Sequence, residues 1–229
     1  MTQRSIFAGA NQTIIIKVGG SVTVRGREGK RLSAETEGTG GLSVERRSKS
    51  EIGRARAAIG DHVLFDVRIK LPALTEKKTE EVIEVQMGGS GEVLVPLESN
   101  LKVYAGKDIE VRDIRGYVDA YSSSNLYLQN VYRLGNASAG GTMDIDCHTM
   151  LGNNVTFGAG SDLRFHISDL TSAHLRVKDI GGYWEARIGG GEKSVYLKSG
   201  GDVTFVTDQK VEPLPPNYIL GKIEKPNAA

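Results

Sequence analysis

Cysteine is almost missing from this chain: Cys147 is the only one in 229 residues, so no disulfide can close within it. Long apolar runs are missing too. No window approaches the ~18 consecutive apolar residues of a membrane-spanning helix. Near the N-terminus the longest apolar run, Ile14 to Ile16, is too short for the centre of a signal peptide. The expectation is a soluble, cytoplasmic chain with no direct membrane insertion. The sequons at Asn11, Asn136 and Asn154 then read as chance. Excess charge of either sign is also lacking. The 29 basic and 28 acidic residues leave a net +1, which gives no electrostatic footprint for nucleic acid and no polybasic patch. Mixed clusters such as Glu45-Arg46-Arg47 and Glu76-Lys77-Lys78 read as solvated faces. No phosphate-binding loop is present, since the Gly-rich stretch at Gly38 to Gly41 precedes a strand rather than a helix.

Glycine is abundant, at 29 against 6 prolines. Its residues punctuate short alternating segments: GGSVTV, GGLSV, AGKDIEV, SSSNLYL, AGGTMDI, GSDLRF and GGDVTF. Each is a small-residue turn followed by an apolar–polar–apolar triplet, the pattern of a half-buried strand. The first apolar residues fall at Ile109, Leu126, Met143, Leu163 and Val203, in steps of 17, 17, 20 and 40. Taking 40 as two steps predicts a further member at 183, where Tyr183-Trp184 stand, with Trp184, Ala186 and Ile188 alternating one residue late. A second series, Val155, Leu175 and Val195, runs at 20-residue intervals. A third mark is a polar-then-aliphatic corner at Asp113-Ile114, Asn130-Val131, Asp169-Leu170 and Asp179-Ile180.

A period of about 20 residues with two or three short strands predicts an all-β fold, a single-chain parallel β-solenoid. Like positions would stack about 4.8 Å apart in apolar files. A sandwich of stacked hairpins is the alternative. The solenoid domain spans 1–212, with irregular N-terminal coils in 1–92 and regular coils in 93–208; 213–229 is a proline-rich tail. Ser50 to Ile59 suits one or two helical turns. The longer strands around Pro72 to Thr79 predict an antiparallel flap that caps or widens one end. Pro213, Pro215 and Pro216 are expected to stop strand pairing, after which Tyr218, Ile219 and Leu220 cover the last coil or dock on a neighbour.

From Val93 to Asp208 the chain resembles the bacterial putative-adhesin domain of unknown function. The resemblance rests on the Val95-Pro96 strand, the repeated small–Gly–polar–Val–x–Val coils, and the corners Asp113-Ile114-Arg115-Gly116 and Asp179-Ile180-Gly181-Gly182. It implies a right-handed parallel β-helix without catalytic residues. Surface-anchored members of that family carry a signal or transmembrane segment, and this sequence shows neither pattern.

The densest set of ligand-type residues is Asp144, Asp146, Cys147 and His148. Asp144, Asp146 and His148 share one face of a strand with Met143 and Ile145 on the other, so they point to solvent with no converging second element. His166 and His174 flank a turn and offer no better site. No metal and no cofactor is expected. Acid–base work on polysaccharide needs paired carboxylates; Asp162, Asp169, Asp179 and Glu185 are available, but their spacing pairs no two of them. Tyr117, Tyr121, Tyr127, Tyr132, Tyr183, Trp184 and Tyr196 suit packing ladders or stacking on sugars. Cys147 reads as a small inward or turn residue, not a nucleophile.

The functional expectation is a non-catalytic structural or interaction module. Its partner is itself, as a homo-oligomer, or another protein, through Tyr218, Ile219, Leu220, Tyr183 and Trp184. A carbohydrate-binding surface adhesin and a β-helix enzyme acting on polysaccharide are the alternatives.

Overall fold

The computed structural model describes residues 2–9, 11–37, 40–48, 81–180, 182–207, 209–214 and 222–224. The expected helical turn at 50–59, the flap around 72–79 and the trio Tyr218, Ile219 and Leu220 lie outside them. Among the described residues there is no helix, and therefore none long and apolar enough to cross a membrane. The N-terminal strands are β1 (Thr2–Phe7), β2 (Thr13–Val18), β3 (Val22–Arg27), β4 (Arg31–Thr36), β5 (Leu42–Ser48), β6 (Glu81–Met87), β7 (Gly91–Pro96) and β8 (Asn100–Ala105). The middle holds β9 (Ile109–Ser122), β10 (Leu126–Ala139), β11 (Met143–Met150), β12 (Asn154–Ala159) and β13 (Leu163–Ile167). The C-terminal strands are β14 (Ala173–Asp179), β15 (Gly182–Ile188), β16 (Lys193–Ser199), β17 (Val203–Val206), β18 (Val211–Leu214) and β19 (Lys222–Glu224). Together they form an open, mixed sheet.

Strand pairing separates two runs. One passes β1–β4–β7–β3–β9–β10–β11–β13–β17–β19. The other passes β5–β6–β2–β8–β9–β10–β12–β16–β14–β15–β18. The long strands β9 and β10 serve both, the first half in one run and the second half in the other. The chain thus alternates between runs, and the apolar sides of both meet in one core.

The periodic apolar series stacks as expected. Ile109, Leu126, Met143, Leu163 and Val203 are consecutive register partners along the first run, and all are buried. The phenylalanines Phe157, Phe165 and Phe205 fill the space between the runs, with ring centroids 5.0 and 5.9 Å apart. A corner file of Ile114, Val131, Cys147 and Ile167 lies beside them. Asp113 and Asn130 turn that corner with left-handed backbones (φ 59° and 53°), which short polar side chains tolerate.

The glycines that open the repeated phrase have a different reason to exist. Gly19, Gly106, Gly140, Gly160 and Gly200 all lie at the turn that links one strand phrase to the next, and their amides donate to the coil below. Gly140 N–H bonds Ser122 O at 3.1 Å, Gly160 N–H bonds Ala139 O at 3.0 Å, and Gly200 N–H bonds Ala159 O at 3.2 Å. A Cβ on Gly160 would stand 1.9 Å from the Gly140 carbonyl oxygen, and one on Gly200 would stand 2.2 Å from that of Gly160. The near-identical phrases KVGGSVTV and KSGGDVTF therefore mark an early and a late member of one file of turns, in which most members stand too close to the next carbonyl for a Cβ and Ser123 takes the place between Gly106 and Gly140.

Four expectations need correction. The sheet is not purely parallel: β1–β4, β4–β7, β5–β6, β14–β15 and β15–β18 pair antiparallel. Position 183 is not a ladder member. Leu163 pairs directly with Val203, and residues 173–192 form an inserted hairpin; a strand that has reversed direction cannot continue a parallel file. Consequently Val195, not Leu175, sits next to Val155, and Leu175 lies beyond it. The Asp179-Ile180 motif is the turn of this hairpin, with Asp179 opposite Gly182 and Ile180 exposed, rather than a buried corner. Finally, Pro213 lies within β18 and pairs with Ala186; an edge strand tolerates a residue without an N–H. Past the prolines, β19 returns parallel to β17 of the same chain.

Candidate interaction surfaces

On β11 the alternation runs as expected: Met143, Ile145 and Cys147 are buried and Asp146 and His148 exposed. Asp146 faces His166 on β13, with Oδ1 2.9 Å from Nδ1. His148 stacks on Tyr132 (centroids 4.9 Å apart), and its Nδ1 lies 3.0 Å from Ser168 Oγ. Asp146, His148, Tyr132 and Ser168 line a groove of about 920 Å³ together with Arg115, itself near Glu98 and Glu28. Burial raises the Asp144 carboxyl above the usual range against the pull of Arg164. Burial, with Asp146 beside it, pushes the Cys147 thiol up to about 12, so it stays protonated at neutral pH and is no ready nucleophile. Among the described residues no three His, Cys, Asp or Glu side chains converge as metal ligands.

Of the four carboxylates singled out from the sequence, Asp162, Asp179 and Glu185 are engaged separately. Asp162 accepts the Asp202 N–H at 3.0 Å. Asp179 accepts the Trp184 indole N–H at 3.2 Å. The Asp169 backbone N–H donates to His148 O. Glu185 takes the Tyr183 hydroxyl on one oxygen and lies 2.7 Å from His174 Nε2 on the other. Glu84, almost fully buried, is neutralised by Lys17 at 2.5 Å and Arg47 at 3.1 Å.

The aromatic residues divide by strand parity. Trp184 points inward and is 3% exposed, whereas its neighbour Tyr183 points outward at 44%. Tyr104 and Tyr121, register partners on β8 and β9, stack nearly parallel at 5.2 Å.

The surface that sequence reading missed is the outward side of β14, β15 and β16. His174, Arg176 and Lys178 project from β14, Tyr183, Glu185 and Arg187 from β15, and Ser194, Tyr196 and Lys198 from β16; the apolar residues between them are in the core. Register places Lys178 beside Lys198, Arg176 between Tyr196 and Glu185, and His174 between Ser194 and Arg187. The usable signal was every second residue in three segments, but it needs the hairpin to bring the segments together. Tyr183 is held neutral, its pKa pushed up to about 12 by desolvation and by the bond it donates to Glu185. The same bond, then the one with His174, holds the Glu185 carboxyl below its ordinary value.

No family model and no curated protein matches the chain. Among solved structures, a putative cell adhesion protein from Clostridium sporogenes is similar over 98% of this chain and 99% of that one, at 11% identity and a TM-score of 0.41. The resemblance to the putative-adhesin family therefore stays one of motifs.

Proposed function

We propose that the chain is a non-catalytic interaction module: a right-handed β-solenoid, parallel in its middle coils of 16 to 20 residues and antiparallel in places towards both ends, that engages proteins, a second copy of itself among them, through its faces and edges. One observation carries this reading. Polar side chains at the turns are used to tie one coil to the next rather than to converge on a reacting centre. Asp108 Oδ1 accepts the Asn125 N–H at 3.0 Å, and Asn125 Oδ1 in turn accepts the Thr142 N–H at 3.0 Å. Asp119 accepts from the Asn136 N–H at 2.8 Å, and Asn130 donates to Asp113 at 2.6 Å. Each spans 17 residues, one coil, and a charge-assisted bond to a backbone N–H is among the stronger kinds. Right-handedness follows from the near-universal hand of parallel crossover connections.

The edges supply the self-association surface. Among the described residues β1, β5, β18 and β19 each pair on one side only, and an unpaired strand edge is a template for another chain. The edge of β17 is taken by β19, which becomes the last described strand of that run. Sedimentation velocity at micromolar concentration is expected to show a homo-oligomer. Monomeric behaviour at every concentration would remove self-association, and release of reducing ends from a polysaccharide would remove the non-catalytic reading.

A further inference from the structure

The even charge balance of the sequence conceals a local imbalance. On the outward side of β14–β16, Arg176, Lys178, Arg187 and Lys198 face solvent, and Lys178 and Lys198 are direct cross-strand neighbours. Strands in a sheet are about 4.8 Å apart, and like charges directly opposite one another are destabilising. Among the described residues no carboxylate forms an ion pair with Lys178, Lys198 or Arg187. Glu212, which faces Arg187 across the edge, is paired with Lys210 at 3.2 Å. The acid inside the patch, Glu185, is occupied on both oxygens by Tyr183 and His174. A fold that keeps two unneutralised lysines side by side leaves a place for an anion to relieve their repulsion. Next to them in the same outward file is Gly158, the register partner of Lys198, and then Ser138. A Cβ on Gly158 would meet nothing within 4 Å, so the cations border an open, unfilled strip rather than a crowded one.

We propose that this face binds an acidic polysaccharide. Arg176, Lys178, Arg187 and Lys198 meet its anionic groups, Tyr183 and Tyr196 flank its rings, and Glu185 accepts from its hydroxyls. Glu185 is what separates this ligand from a nucleic acid strand. A fixed carboxylate among the cations repels any anionic chain, but a saccharide repays it with hydroxyl donors to its remaining lone pairs, which a phosphodiester backbone lacks. The depressed pKa of Glu185 keeps that acceptor ionised at neutral pH. The inference rests on the non-catalytic module reading and adds to it a ligand class and a place.

Binding of oligogalacturonate to the full chain, followed by calorimetry, tests it, with a neutral oligosaccharide and a single-stranded DNA oligonucleotide of equal charge as comparisons. The expected result is oligogalacturonate binding that weakens with added salt, no binding of the neutral sugar, and at least a tenfold loss in Lys178→Gln/Lys198→Gln, whose exposed positions leave the fold unchanged by circular dichroism. Glu185→Gln is expected to weaken the saccharide and strengthen the DNA. No saccharide binding at millimolar concentration, or binding that the double variant leaves intact, overturns the proposal. DNA binding equal to or tighter than saccharide binding in the unmodified chain overturns it in favour of a general polyanion surface. Cleavage of the bound oligogalacturonate would instead overturn the non-catalytic reading while leaving the site in place.

Discussion

Two neighbouring parts of this molecule obey different rules. From β9 to β13 every described strand pair is parallel, and residues 16, 17 or 20 apart occupy equivalent places. At β15 the chain reverses, and β14, β15 and β18 are added to one run only, outside the periodic order. The regular part is held by identical contacts repeated upward: an apolar file, a glycine turn file and Asx bridges. The insertion shares the core below it but lies at the margin of one run. Repetition supplies rigidity, and the departure from it supplies a surface found nowhere else in the described residues. A stack is as cooperative as its nearest-neighbour contacts allow, so the two parts should fail separately.

Phe165 sits between Phe157 and Phe205 in the regular core, and Phe165→Ala should cost about 3–5 kcal/mol in a denaturant titration. The insertion offers the matching test. Trp184→Ala should instead open β15 and β18 locally, seen as faster amide exchange there while β11, β13 and β17 keep their protection. Global loss of protection would mean that the two parts are one cooperative unit. Smaller effects should follow from the glycines. Gly160→Ala forces a Cβ against a neighbouring backbone oxygen and should cost about 1–3 kcal/mol. Two residues away, Gly158→Ala enters open space and should stabilise the chain by about 0.5–1 kcal/mol, the ordinary advantage of alanine over glycine within a strand.

The mildest test uses pH. The Glu185 carboxyl is held below the ordinary glutamate value of 4.5 by Tyr183 first and His174 second. Its contribution to the insertion is therefore full above pH 4.5 and is lost as pH falls through the depressed folded value. Protection factors at β15, corrected for the slower intrinsic exchange in acid, should fall below that pH in the unmodified chain. In Glu185→Gln the added acid dependence should vanish; an unchanged profile would assign it to another group.

The five-residue apolar file, the half-buried strands, the inward Cys147 and the outward Asp146 and His148 were all legible in the sequence. Their period and parity are local properties, and stacking preserves them. The gap of 40 residues was not legible as a hairpin insertion. Val155/Phe157, Leu175/Val177 and Val195/Leu197 are equally apolar pairs at equal spacing, so alternation cannot say which of them adjoins which. Pro213 read as a stop because proline interrupts a central strand; at an edge it does not.

What the sequence determined by itself is the repeating unit. Glycine was required where a Cβ would strike the carbonyl of the next turn, as at Gly160 and Gly200, and an apolar residue where a strand faces the core, because both constraints act on each position through its immediate neighbours. What only the tertiary structure decided is the strand order after β13, and with it the gathering of Arg176, Lys178, Arg187 and Lys198 onto one face of a chain whose charges balance. The free energy that selects one strand neighbour over another arises from contacts between segments up to 40 residues apart, and no pattern read along the chain contains it.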